Sequence, residues 1–434
     1  MAYDVIVIGA GLAGLLGGLR LAEAGKHVLL LAKGHGATHW ANGTIGIARG
    51  TDPLAEAARL ATDPDHPYAR AGTAAIETAT ARLRAACHDA GYPLVGTLAR
   101  NTLLPTAVGA SLPAALLPET MAAGALGPEA ATGPLLIAGF RELRDFFPPL
   151  AAANLRAAGI DARAAWLQLP TTRRRRDFTP TVLAELFEDA AFRAATGQQL
   201  RAVRGDAVRI GLPAVLGTRH AAPIVAELSA QSGAAVFEIA TLPPSVPGIR
   251  LYDILSRAFV RAGGRIQIGS WVTRAEVADG RVRRIFSEAA GHEQRHEAET
   301  FLLATGGIAG GGLRTDHLGQ IVETALNLPV RAPADRAGWF GPRFTGAQPI
   351  HRAGIATDSA LHPLGLDGLP FYSNVVVAGA ALGGADLIRE GAYEGVALAT
   401  GWHAAGTVLA AAAPFGVGTA SQSAAPVSVT THER

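Results

Sequence analysis

Three glycines near the N-terminus carry the clearest chemistry in this chain. They stand as Gly9-x-Gly11-x-x-Gly14, directly after the apolar run Val5-Ile6-Val7-Ile8 and directly before a helical pattern. In that context the first glycine permits a tight turn, the second lets backbone approach a pyrophosphate, and the third lets helix and strand pack closely. The phosphates would rest on the free N–H groups and positive dipole end of the helix, around Leu12 and Ala13.

A carboxylate is expected about 20 residues further on, where it would accept from a ribose 2′-hydroxyl. Here the second strand, Val28-Leu29-Leu30-Leu31, runs into Ala32-Lys33-Gly34. A lysine cannot accept a hydrogen bond. Three readings stay open: Lys33 meets a 2′-phosphate, as for NADP; the contact is made by backbone alone, as in a flavin protein; or the site is vestigial.

Other residue types offer less. His39 stands in a polar, glycine-rich stretch over 34–50. His351-Arg352 precedes Gly354-Ile355-Ala356-Thr357-Asp358, and Arg352 could hold a carboxylate or phosphate as a fixed fork. A surface turn is the competing reading. The run Arg173-Arg174-Arg175-Arg176 would dock a phosphate or an acidic partner, or simply sit in a solvated loop. Cys87 lies in an apolar helical stretch and reads as a buried structural thiol. No His/Cys/Glu cluster has metal-ligand spacing. No nucleophile elbow or Walker-type loop is present.

The elements that must position these groups follow from the pattern. The glycine motif lies in a βαβ start, with a first helix over 15–24 stopped by Gly25. Helical patterning covers 54–90, 139–156, 222–232 and 249–262, while 101–135 gives no clear element. A strand is expected over 207–216. The prolines at 243, 244 and 247 argue against helix or central strand across 241–248. Two alternating runs, 271–278 and 281–288, flank Asp279-Gly280, a strong hairpin signal. Buried strands over 301–304 and 375–378 end in small-residue turns at Thr305-Gly306-Gly307 and Gly379. Residues 413–434 are small, polar and proline-containing, and a disordered tail is expected there. The expected fold class is α/β: a Rossmann-like dinucleotide-binding domain with a parallel sheet and a β-meander, plus an inserted α/β cap-like domain.

Length and composition narrow the possibilities. At 434 residues, with 49% hydrophobic and 17% charged, the chain can bury a large core and is neither collagenous nor disordered. Net charge is +2, from 38 basic and 36 acidic residues, which excludes an electrostatic grip on nucleic acid along the whole chain. One cysteine excludes an internal disulfide, a CxxC redox pair and a self-contained iron–sulfur cluster. With no signal peptide and no 20-residue apolar span, the expected location is cytoplasmic.

Taken in order, these blocks resemble the FAD family of fumarate reductase, succinate dehydrogenase and L-aspartate oxidase. There the second strand also often ends in Lys, as at Lys33, and a loop like Thr38-His39-Trp40-Ala41-Asn42-Gly43 follows. The closer resemblance is to the B-subunit family of anaerobic glycerol-3-phosphate dehydrogenases. It is carried by Thr241-Leu242-Pro243-Pro244-Ser245-Val246-Pro247-Gly248-Ile249-Arg250-Leu251, by His66-Pro67-Tyr68, and by Leu382-Gly383-Gly384-Ala385-Asp386 running into Gly395-Val396-Ala397. It spans residues 3 to about 405 and is loose over 100–240.

The resemblance implies a flavin-bearing component that takes part in oxidising glycerol 3-phosphate to dihydroxyacetone phosphate. It implies two partners, the catalytic A-type component and the iron–sulfur C-type component of the dehydrogenase. Electrons would pass to quinone, with membrane contact only through a partner, peripheral on the inner face. A non-catalytic scaffold component and a stand-alone FAD oxidoreductase of other substrate are the alternatives. FMN is the alternative cofactor, but the glycine motif favours FAD because FMN has no pyrophosphate to cradle.

The implied cofactor contacts are the glycine motif with Leu12 and Ala13, then Lys33, then Thr38, His39, Trp40, Asn42 and Gly43. Further contacts are Thr305 and Gly306, Gly379, Gly383 and Gly384, Asp386, Gly395 and Val396. The implied catalytic residues are His39, either a covalent flavin attachment point or a hydrogen-bonding or simply exposed loop histidine, with His351 and Arg352. One departure is Ala380, where such flavoproteins carry an acidic residue for the ribityl chain. The implied domains are a cofactor domain over 1–58, 245–312 and 351–412, an inserted domain over 59–244, and an excursion over 313–350.

Overall fold

The computed structural model describes residues 3–127, 133–170 and 177–411. The run Arg173–Arg176 and the tail over 413–434 lie outside the described residues.

The N-terminal signals form as read. Strand β1 (Tyr3–Ile8) leads into helix α1 (Leu12–Glu23), and β2 (Val28–Ala32) follows. Both strands are apolar and almost wholly buried, as befits a parallel sheet covered on both faces. The helical pattern over 54–90 is broken into three pieces, Pro53–Leu60, Pro67–Ala71 and α2 (Thr73–Asp89). Each of the two short pieces begins on a proline, which suits a first turn that needs no N–H donor.

The middle of the chain departs from the pattern reading. The helical pattern over 139–156 is corrected at its start: Gly139 and Phe140 end strand β3 (Leu135–Phe140), buried along its whole length, and the helix is confined to Pro148–Ala157. A six-residue apolar run has no periodicity to tell strand from helix. Strands β4 (Ala162–Leu167), β5 (Arg209–Pro213) and β6 (Ala235–Ile239) join it in a second parallel sheet, ordered β6-β5-β3-β4. This sheet has its own core, built around Phe140, Phe187 and Phe237.

Helix α3 (Val246–Arg261) begins inside the proline-rich stretch. Ser245 Oγ accepts from the Gly248 amide, and Pro247 sits in the first turn, where its missing donor is harmless. The expectation of no helix over 241–248 is therefore corrected at its last three residues. Next come β7 (Arg265–Ile268) and a three-stranded antiparallel meander, β8 (Trp271–Ala278), β9 (Arg281–Ala289) and β10 (His292–His296). Asp279 and Gly280 both take positive φ, 53° and 64°, as a tight hairpin demands. Strands β11 (Ala298–Leu303) and β12 (Val375–Val377) complete the main sheet, and α4 (Tyr393–Ala411) closes the described chain.

The main sheet is fully parallel, in the order β7-β2-β1-β11-β12. Ile8 is level with Leu31 on one side and Leu303 on the other, and Leu303 is level with Val377. Gly9, Lys33, Thr305 and Gly379 therefore emerge at one edge. Ligands of open parallel sheets bind at that carboxyl edge. Helix α2 and the helix Pro67–Ala71 pack on this main core through Tyr68, Ile76 and Leu83, although they fall in the stretch expected as the inserted domain.

One buried ion pair joins the second sheet to the main body. Arg250 on α3 donates to both carboxylate oxygens of Glu238 on β6, at 2.7 and 2.9 Å. Glu238 also accepts from Thr120 Oγ1 and the Leu216 amide, and Arg250 Nε donates to the Gly217 carbonyl. Both side chains are almost inaccessible to solvent. Removing one partner of such a pair strands the other charge, which costs about 3–5 kcal/mol. Glu238→Ala is expected to lower the unfolding free energy by that amount at unchanged urea slope, measured by circular dichroism.

Candidate functional site

The carboxyl edge of the main sheet opens into a cavity of about 760 Å³, inside the range of about 300–1,000 Å³ usual for cofactor sites. Its base is the turn after β1. Gly9 has φ +118°, and a Cβ there would stand 2.2 Å from the Ala304 carbonyl oxygen. A Cβ at Gly14 would stand 2.1 Å from the Gly9 carbonyl oxygen. A Cβ at Gly11 would meet no protein atom within 4 Å, and Gly11 lines the cavity. The space that a side chain at 11 would fill belongs to whatever the cavity holds.

Helix α1 starts beside this space with no side-chain cap on Gly11 and no acidic residue in its first turn. The first amides of a helix have no partner within it, so this end faces the cavity as an anion site. Thr305 lies beside the Gly9 turn and also lines the cavity, while its Oγ1 is buried against Gly312. These features fit a dinucleotide: an open cradle at Gly11 with free helix amides beside it.

The proposed contacts divide between two places. Gly9, Gly11, Leu12, Ala13, Lys33, Thr38, Trp40, Thr305, Gly306 and Gly379 all line the cavity. Lys33 does so with its ammonium over the Trp271 ring, 4.1 Å from the centroid. This stacking keeps a cation where a ribose-binding carboxylate would stand.

The others do not line it. Gly14 is packed under Gly9. Asn42 is turned onto Thr44, accepting from its amide and hydroxyl, and Gly43 backs onto Pro247. Gly395 backs onto Tyr68, and Val396 is fully buried.

The candidate catalytic residues also fall outside the cavity wall. His39 closes the short turn Ala37–His39 and is stacked on His35, with ring centroids 4.5 Å apart and Tyr252 edge-on to both. His35, and not His39, reaches the cavity. Burial and then the neighbouring His35 hold the His39 pKa below its ordinary value. Covalent attachment of a flavin at His39 has no geometric support from this placement.

His351 Nδ1 lies 3.1 Å from Asp386 Oδ1, and Asp386 caps the short helix Leu387–Glu390. Arg352 donates to Asp63 at 2.6 Å, and that bond leads the causes that hold the Asp63 carboxyl below its usual range.

Arg352, with Gly383 and Gly384, borders a second cavity of about 320 Å³. Arg70 and Arg331 also line it. Arg70 faces Asp65 at 3.8 Å, while no carboxylate among the described residues pairs with Arg331. Sequence reasoning missed Arg70, Arg331, Trp271 and Glu394, which distant elements bring to their cavities, and His35, which the loop after β2 turns to the cavity in place of His39.

Cys87 is buried, and burial pushes its thiol up to about 12. Among the described residues no cluster of His, Cys, Asp or Glu could hold a metal ion, and no helix is long and apolar enough to cross a membrane.

Sheet order, glycine turn and cavity together define a dinucleotide-binding fold of the flavoprotein class. The FAD binding domain family matches residues 4–396. The B subunit of a probable anaerobic glycerol-3-phosphate dehydrogenase of Halobacterium salinarum is 34% identical, over 94% of this chain and 98% of its own. The B subunit of the anaerobic glycerol-3-phosphate dehydrogenase of Yersinia pestis is 31% identical, over 92% and 96%. A more distant likeness is the solved 3-ketosteroid delta1-dehydrogenase of Sterolibacterium denitrificans, 11% identical over 94% of this chain and 100% of that one, with a TM-score of 0.44. The chain is an FAD-binding oxidoreductase component and belongs to the B-subunit family of anaerobic glycerol-3-phosphate dehydrogenases.

The glycine geometry makes a sharp prediction. Gly11→Val is expected to fold with an unchanged melting transition and to lose bound FAD, seen as loss of visible absorbance. Gly9→Ala is expected to destabilise the fold itself, because its Cβ has no place to go. Full flavin occupancy in Gly11→Val would misplace the cofactor.

Proposed function

We propose that this chain is the FAD-bearing component of an assembly that oxidises glycerol 3-phosphate to dihydroxyacetone phosphate. The reading is carried by the near full-length match to the B-subunit relatives, joined to a cavity whose cradle suits a pyrophosphate. The cofactor domain would comprise 1–58, 245–312 and 351–412. Residues 59–244 would supply the inserted unit, its helices over 67–89 resting on the core of the cofactor domain, with an excursion over 313–350.

FAD, when bound, supplies a two-electron acceptor. Around it the chain's own groups have separate tasks. The amides of Leu12 and Ala13 would hold the pyrophosphate, and Lys33 would hold positive charge at the far wall. The single cysteine leaves this chain no iron–sulfur cluster of its own. Electrons would therefore leave through partners, the catalytic and the iron–sulfur components of the assembly, toward quinone, with the membrane reached only through a partner.

The second cavity suits the phosphate of the substrate. Arg331 has no carboxylate partner among the described residues, and Arg352 and Arg70 line the same space, where the three could share a dianion. Guanidinium groups bind phosphate with paired, directional hydrogen bonds. A scaffold role is the second reading, favoured by Lys33 and Ala380 standing where cofactor-binding carboxylates are usual.

Two measurements separate them. Acid precipitation of the purified chain should release free FAD into the supernatant; a chain that stays colourless with added FAD and its partners would establish the scaffold. In the reconstituted assembly, Arg331→Ala should raise KM for glycerol 3-phosphate by about tenfold or more with kcat little changed, the loss of one charge-assisted hydrogen bond of about 1.5–3 kcal/mol. An unchanged KM would remove the second cavity from the substrate path.

A further inference from the structure

Glu394 is a carboxyl group in the wall of the larger cavity, in the first turn of α4, with no lysine, arginine or histidine paired to it among the described residues. Its carboxylate accepts from the Gly46 amide, at 3.3 Å to Oε2, and from its own backbone amide. Every titratable neighbour is otherwise engaged or is not a cation. On α4 itself it is Tyr393, which also lines the cavity. From the helix Pro67–Ala71 it is Tyr68, whose hydroxyl donates to the Ile47 carbonyl. Glu390 is held by His66, and Arg49 donates to the Ile388 carbonyl. Across the cavity, Lys33 lies over Trp271 and His35 is stacked on His39.

The position along the cavity also follows from the packing. Gly401 on α4 lies against Ala13 at the start of α1. Glu394 is seven residues earlier, about 10 Å along the helix axis. It therefore sits at the end of the cavity away from the pyrophosphate cradle, where the flavin half of the dinucleotide would lie.

We infer that Glu394 is the proton-exchanging group of the cofactor pocket, and that FAD binding takes up a proton at this carboxyl. This rests on the assignment of the larger cavity to FAD. With solvent in the cavity, water solvates the ionised carboxylate. A bound ring system displaces that water, and desolvation favours the neutral acid. The anionic pyrophosphate adds charge of the same sign. The step is one proton from solvent to a carboxylate oxygen, with no other bond made or broken. Burial already lifts this carboxyl to about 7, so its charge is in play near neutrality.

The sign follows from linkage. The bound state has the higher pKa, so affinity is full below about pH 7. It falls as pH rises through that value, by at most about tenfold per unit.

The test is FAD affinity of the apo-protein from about pH 6 to about pH 8.5, read by flavin fluorescence, with ADP as the probe that lacks the flavin half. In the wild type, FAD should weaken by about tenfold across that range while ADP stays flat. Glu394→Gln should make FAD binding flat as well. Because the variant could fail to fold, proton uptake on FAD binding is also counted with a pH indicator in weakly buffered wild type near pH 7.5, where a sizeable fraction of one proton is expected. A flat FAD profile in wild type, a slope retained in Glu394→Gln, or no proton uptake overturns the inference. No FAD binding at any pH, with ADP also unbound, overturns the pocket assignment beneath it.

Discussion

A backbone carbonyl occupies the place where a side chain at residue 9 would begin. The Ala304 oxygen stands 2.2 Å from the position a Cβ on Gly9 would take. That contact lets the ends of β1 and β11 meet without a gap. A second close approach, of Gly14 on the Gly9 carbonyl, seats α1 against the same turn. The cavity exists because these two contacts leave Gly11 facing open space and the helix N-terminus pointing across it. Everything the site does with an anion depends on this spacing of three small residues.

Much of this was legible in the sequence because it is local. Strand, glycine turn and helix lie within 20 residues, and the Asp279-Gly280 hairpin is set by two adjacent residues. The second sheet was harder. Leu135–Phe140 is uniformly apolar, so its strand shows no alternation, and Pro148 marks the helix start more clearly than any periodicity does.

Beyond the glycine turn the site was legible in part: Lys33, Thr38, Trp40, Thr305, Gly306 and Gly379 line the cavity, while His39 does not. His35 and His39 are four apart in one loop, and composition cannot say which ring reaches the cavity. The three-residue turn Ala37–His39 decides it by stacking His39 behind His35. Arg331 and Arg352 share a cavity because a backbone bridge joins Arg331 to Gly354, a pairing no motif announces. Glu394 looks like an ordinary helix-start acid. Its meaning comes from packing against a segment almost 350 residues earlier in the chain, through the Gly46 amide. The departures at Lys33 and Ala380 have the same character: the residues were plain to see, but the Trp271 face that holds Lys33 was not.

The cavity wall begins at Ile8 and is not complete until Ala397. A ribosome adding about 5–20 residues per second takes on the order of 20–80 s between those two points. Through most of that interval the glycine turn is already outside the ribosome, but the strand Val375–Val377 and the helix above it do not yet exist. The nascent chain therefore holds half a cradle, and the whole cavity wall exists only once the last helix has been made.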